Sequence, residues 1–177
     1  MESIAILTDL ARRPADSLAA IADSLDPAVL NVHVGGHPNS PAWLLWHTGR
    51  EIDVQIADLA GTEQVWTAQG FDARFDLGLD DAELGAAQMG YGQSAEQAER
   101  IVVDDPRLLI DYIEAATEAQ VDYVSQLTEA QVAEVIDEQW DPPVTRAGRL
   151  ISVSVDAAEH IAQVAYVLGT DAAHGAR

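Results

Sequence analysis

The sequence contains no cysteine. Disulfides, zinc–thiolate sites, iron–sulfur clusters and a cysteine nucleophile are therefore all excluded. It contains no lysine either: the nine basic residues are all arginines, set against 30 acidic ones, for a formal net charge of −21. Phosphate backbones repel so acidic a chain, which argues against nucleic acid and anionic membranes as partners. Solubility, a GC-rich genome or a salt-adapted proteome accounts for such usage without any special function. No apolar run is long enough to span a bilayer, and no charged-then-apolar leader ends in a cleavage signal, so a cytoplasmic location is expected. No strand–glycine-rich–helix pattern marks a Rossmann or P-loop site. No Ser–His–Asp arrangement is identifiable.

What the sequence does have is helical periodicity. Its 177 residues are 48% apolar, enough for one domain, 1–177, with a sizeable core. Ile4, Leu7, Leu10, Ala11, Leu18, Ile21, Ala22 and Leu25 recur at three- and four-residue steps, predicting a first helix from Ser3 to Leu25 that Pro14 could kink or split. A loop follows over 26–40. Ser40 as N-cap and Pro41 at the first helical position open a second helix, which Gly61 closes after Ala60. Residues 62–104 are interrupted by glycines and read as a long crossover connection, with short helical pieces at 80–89 and 94–101. Asp105-Pro106 opens a third helix to about Leu127. Thr128 and Gln131 form a capping box for a short helix ending near Ile136, and 138–146 reads as a loop. A fourth helix runs from Ala147 to Leu168. Its β-branched start, Leu150 to Val155, makes a strand the rival reading, but the helical continuation decides against it. The expected fold is all-α, a four-helix bundle with a long crossover between the second and third helices.

Within those helices, His47 and His160 sit among apolar residues, in WLLWH and EHIAQVAYV. Asp156 precedes His160 by four positions, on the same helix face. A carboxylate in an otherwise apolar stripe needs a partner, because burying an unpaired charge is costly. A divalent cation would satisfy Asp156 and His160, and His47 could supply a third ligand. Two histidines and one carboxylate with open positions is a common catalytic metal arrangement. The bland alternative is that Asp156 pairs with an arginine or faces solvent, and that the histidines are ordinary core residues. Arg50 and Glu51 lie one turn beyond His47. Either could orient a substrate or support the ligands, and Arg50 is the candidate catalytic residue, although an ordinary ion pair explains them equally well. His33, His37 and His174 read as loop and tail histidines. Trp43 and Trp46 read as core or pocket lining, Trp66 and Trp140 as loop aromatics anchoring a lid or an interface.

Two stretches resemble a known superfamily. SPAWLLWHTGREIDVQIADLAG is similar to the second helix of DinB/YfiT-like proteins, which carries a metal-binding histidine after an apolar run. DAAEHIAQVAYVLG is similar to their last-helix motif, with His160, Gln163 and Tyr166 in matching places. Asp156 stands where the motif has its first histidine. The mycothiol-dependent maleylpyruvate isomerase branch has a carboxylate there, normally Glu. The resemblance implies a divalent metal, zinc or nickel, on His47, Asp156 and His160. It further implies a low-molecular-weight thiol such as mycothiol as co-substrate, a small electrophile as substrate, and a homodimer. A metal-dependent hydrolase of the same fold, or a ligand-binding or stress-response module, are the alternative functions.

Overall fold

The protein's structure is a computed structural model that describes residues 2–170; His174 lies outside the described residues. In chain order the elements are α1 (Ser3–Ile21), α2 (Pro27–Leu30), α3 (Pro41–Ala60), α4 (Val65–Ala68), α5 (Phe71–Phe75), α6 (Ala95–Glu99), α7 (Pro106–Ser125), α8 (Glu129–Val132), β1 (Val135–Asp137), β2 (Val144–Thr145) and α9 (Arg146–Leu168). The long helices α1, α3, α7 and α9 are the four expected from periodicity. α1 and α9 each bury one stripe, Leu7, Ala11 and Leu18 from α1 and Leu150, Val153, Ala157, Ile161 and Val164 from α9, whereas α3 is enclosed on all sides from Pro41 to Asp53. In the bundle, α3 lies against both α7 and α9, and α1 against the same two. No helix among the described residues is long and apolar enough to cross a membrane.

The caps form where the sequence places them. Ser40 Oγ accepts from the Trp43 amide at 3.1 Å, and Gly61 ends α3 at φ 66°, a left-handed conformation that glycine adopts without a Cβ clash. Asp105 caps α7 at the Arg107 amide, and Thr128 and Gln131 form the capping box of α8. α1 runs unbroken through Pro14, which is itself buried.

The departures lie in the connections. Residues 80–89 do not form a helix: the chain there makes successive turns, closed by a bridge between Ala86 and Tyr91. Gly85 and Gly90 have φ of 79° and 88°, which no α-helix accommodates. Two short helices appear instead at α4 and α5. They carry Trp66, Phe71 and Phe75 into the core, where the three rings surround Tyr112 at centroid distances of 5.2, 4.8 and 5.7 Å. Trp66 is thus a core residue, whereas Trp140 is 65% exposed. The short helix after Thr128 stops at Val132, and the next residues pair in a two-stranded antiparallel hairpin, β1–β2. Thr145, at the hairpin's end, caps α9.

Candidate metal centre

Two helices supply the centre. α3 presents His47 and, one turn on, Glu51; α9 presents Asp156 and, one turn on, His160. Four donor atoms, one from each, lie within 4.8 Å of one another. Their separations are those of a cluster: His160 Nε2 is 3.2 Å from Asp156 Oδ2, His47 Nε2 is 3.9 Å from Glu51 Oε2, and the two imidazole centroids are 5.0 Å apart. The three residues singled out from the sequence are therefore brought together, with Glu51 as a fourth. The i,i+4 rule that picked out Asp156 and His160 also applies to His47 and Glu51, and would have found the pair.

Each imidazole is held at its other nitrogen. The Met89 main-chain carbonyl faces His47 Nδ1. A carbonyl only accepts, so Nδ1 carries the hydrogen and Nε2 keeps its lone pair for the cluster. Trp43 stacks on the same ring at 4.7 Å, and its indole N–H is tied to Gln93 Oε1 at 2.8 Å. His160 Nδ1 lies 3.1 Å from Gln163 Oε1. Backing of this kind fixes ring orientation and tautomer in metal-ligating histidines.

The electrostatics show what the cluster lacks. Burial, and then the adjacent Asp156 carboxylate, push the Glu51 carboxyl up to about 9. Asp156 is held well below the usual carboxylate range, first by His160 and then by Glu51. Burial pulls both imidazoles down. For His160, the bonds to Asp156 and Gln163 outweigh it and leave a net rise; His47 stays lowered. Without a cation, two carboxylates can share the site only if one keeps a proton. Glu51 Oε2 is moreover buried and, once the carboxyl is ionised, has no donor to accept from, while Oε1 accepts from Gln55 at 2.9 Å. An orphaned carboxylate oxygen facing two imidazoles and a second carboxylate is a donor set suited to a divalent transition metal.

Two pockets border the centre. One, about 790 Å³, lies beside His160 and is walled by Val32, Val34, Leu44, Val167 and Tyr166. The other, about 260 Å³, lies beside His47 and offers Asn39, Gln93 and Ser94. Asn39 borders both. A separate cavity of about 520 Å³ between α3, α7 and α8 contains none of the four donors.

Arg50 is placed elsewhere. It has no solvent exposure and lines neither pocket beside the centre. Its guanidinium meets Asp53 at 3.6 Å, donates to Tyr112 Oη at 3.1 Å, and lies over the Trp66 ring at 4.7 Å. His33 and His37 bond within their own loop, and His37 borders the larger pocket.

The comparisons with known proteins bear on the family and the fold. No curated protein matches the chain. A conserved protein from Enterococcus faecalis, known from its crystal structure, is 31% identical, with a TM-score of 0.82 over 95% of this chain and 96% of that one. The sequence profile of the DinB superfamily matches residues 10–164, which span α3, α7 and most of α1 and α9, and the chain belongs to that superfamily.

Proposed function

We propose that the protein is a divalent-metal enzyme that transfers a low-molecular-weight thiol, of the mycothiol kind, to a small electrophile. The observation that carries the reading is the convergence of four donor atoms within 4.8 Å, one of them a buried carboxylate oxygen with no partner. His47 Nε2, Glu51, Asp156 and His160 Nε2 would hold the cation. Bound there, a divalent cation supplies Lewis-acid polarisation and lowers the pKa of a thiol or water beside it.

The chain's own residues account for the rest. With no cysteine, the sulfur nucleophile arrives with the co-substrate. The apolar walls beside His160 suit the body of the electrophile. The amide and hydroxyl groups of Asn39, Gln93 and Ser94 beside His47 suit a polar, hydroxyl-rich thiol. Asn39, bordering both spaces, stands where the two substrates would meet. Gln163 and the Met89 carbonyl keep the two imidazoles turned toward the centre.

The test is turnover of an aromatic electrophile, such as 1-chloro-2,4-dinitrobenzene, by zinc- or nickel-loaded protein, with and without added mycothiol. The proposal expects product with the thioether bond only when thiol is present. Thiol-independent hydrolysis of ester or amide substrates would transfer the same centre to the hydrolase reading.

A further inference from the structure

Arg50 is fully buried one turn from His47, and its most informative contact is neither Asp53 nor Tyr112. Its Nε donates to the main-chain carbonyl of Gln88 at 2.8 Å. The next carbonyl along the chain, that of Met89, is the one that accepts from His47 Nδ1. Two side chains of α3, one turn apart, thus grip consecutive carbonyls of one loop.

That loop does not have an intrinsically favoured shape. Ala87 and Gln88 have φ of 51° and 57°, left-handed values that residues with a Cβ rarely adopt. The loop closes on itself through Ala86 N–H to Tyr91 O at 2.8 Å and Gly90 N–H to Leu84 O at 2.7 Å. It is also pressed onto α3: a Cβ on Gly90 would lie 2.8 Å from Trp43 and 3.0 Å from Trp46. Strained backbone persists only where its surroundings over-determine it, and such strain concentrates at functional sites.

We propose that the loop over 85–91, clamped through Gln88 by Arg50, is the positioning device that sets the orientation and tautomer of His47. Arg50 is then a positioning residue for the centre and touches no substrate. Arginine suits the task because one rigid fork must serve three directions at once: Nε to Gln88, Nη1 to Tyr112, and its charge to Asp53. A lysine could keep the charge beside Asp53 but could not also hold the Gln88 carbonyl from the side. The inference rests on the metal reading only for its effect on affinity; the tautomer of His47 belongs to the metal-free protein.

The experiment uses the full chain, metal-free and labelled with ¹⁵N-histidine, at pH 7.5, as wild type, Arg50→Lys and Gly90→Ala. Long-range ¹H–¹⁵N correlation reports which nitrogen of His47 carries the hydrogen. Wild type is expected to be Nδ1–H alone. Both variants are expected to show a substantial Nε2–H population, and zinc competition should show affinity weakened about 10–100-fold, as when other outer-shell partners of metal-bound histidines are lost. His47 remaining wholly Nδ1–H in either folded variant overturns the proposal. Should Arg50→Lys not fold, Gly90→Ala decides alone, because it displaces the loop without touching the Arg50–Asp53 pair. A changed tautomer in the variants, together with a wild type that binds no zinc, would sustain the positioning role and remove the metal reading. The two ideas therefore fail separately.

Discussion

Glu51→Gln should make the metal-free protein more stable and the metal-bound protein impossible. The Glu51 carboxyl has an ordinary value of 4.5 and is pushed up to about 9 in the folded state, by burial first and by Asp156 second. Between those two values the folded chain holds a proton that the unfolded chain has released. Stability therefore falls as pH rises through that window. At pH 7, retaining the proton costs the folded state about 3 kcal/mol, at about 1.4 kcal/mol per unit. A glutamine reproduces the protonated carboxyl in shape and hydrogen bonding without that cost. Its oxygen can still accept from Gln55, as Glu51 Oε1 does at 2.9 Å, and its amide can donate to Asp156. Since the cluster is not wholly dry, a gain of about 1–3 kcal/mol is the reasonable expectation, or roughly 3–10 °C in Tm for a chain of this size. The assay is thermal unfolding in EDTA at pH 5, 7 and 8.5. The gap between variant and wild type should be small at pH 5 and widen with pH. Added zinc should raise the wild-type Tm and leave the variant's unchanged. A variant less stable than wild type at pH 7, or a gap independent of pH, would refute the reasoning.

Two further outcomes follow from the same structure. Cation binding below pH 9 must displace the Glu51 proton, so calorimetric zinc titrations in buffers of different ionisation enthalpy should show proton release, with apparent affinity rising as pH increases toward about 9; binding without proton release would contradict the shared-proton description. Gly49→Ala places a Cβ 2.5 Å from Tyr112 Cδ1, where the ring is packed on its other sides by Trp66, Phe71 and Phe75. Overpacking should cost about 1–3 kcal/mol in urea unfolding, and a neutral result would show that the Tyr112 cage is looser than described.

The four long helices were legible because their signals are local. Ser40-Pro41, Asp105-Pro106 and Gly61 act within a turn, and the apolar stripes repeat at the helical period. Residues 62–104 were not legible in the same way. Whether Trp66, Phe71 and Phe75 form helices depends on Tyr112, nearly forty residues or more away in sequence, being there to receive them. The turns over 85–91 likewise depend on Arg50 and His47 gripping them from α3. The β1–β2 hairpin leaves no mark in the sequence because its strands are only three and two residues long, too short for an alternating pattern. At the centre, His47, Asp156 and His160 could be singled out from spacing and from the resemblance of two stretches. From the sequence Glu51 reads as orienting a substrate, supporting the ligands or forming an ordinary ion pair, because its significance lies in the buried Oε2 and the nearby Asp156, both products of how α3 and α9 meet. In the sequence Arg50 is only a charge beside His47; the direction of its guanidinium is set by Asp53, Tyr112 and the Gln88 carbonyl, and only the folded chain reveals it.

The central claim, that His47, Glu51, Asp156 and His160 form one divalent-metal centre, is tested most directly by metal stoichiometry after equilibrium dialysis of tag-free protein against zinc or nickel. The account predicts about one equivalent in wild type, lost on exchange of either His160 or Glu51 for alanine while the helical fold is retained. Wild type that takes up no metal, or a His160→Ala protein that binds as wild type does, would contradict it.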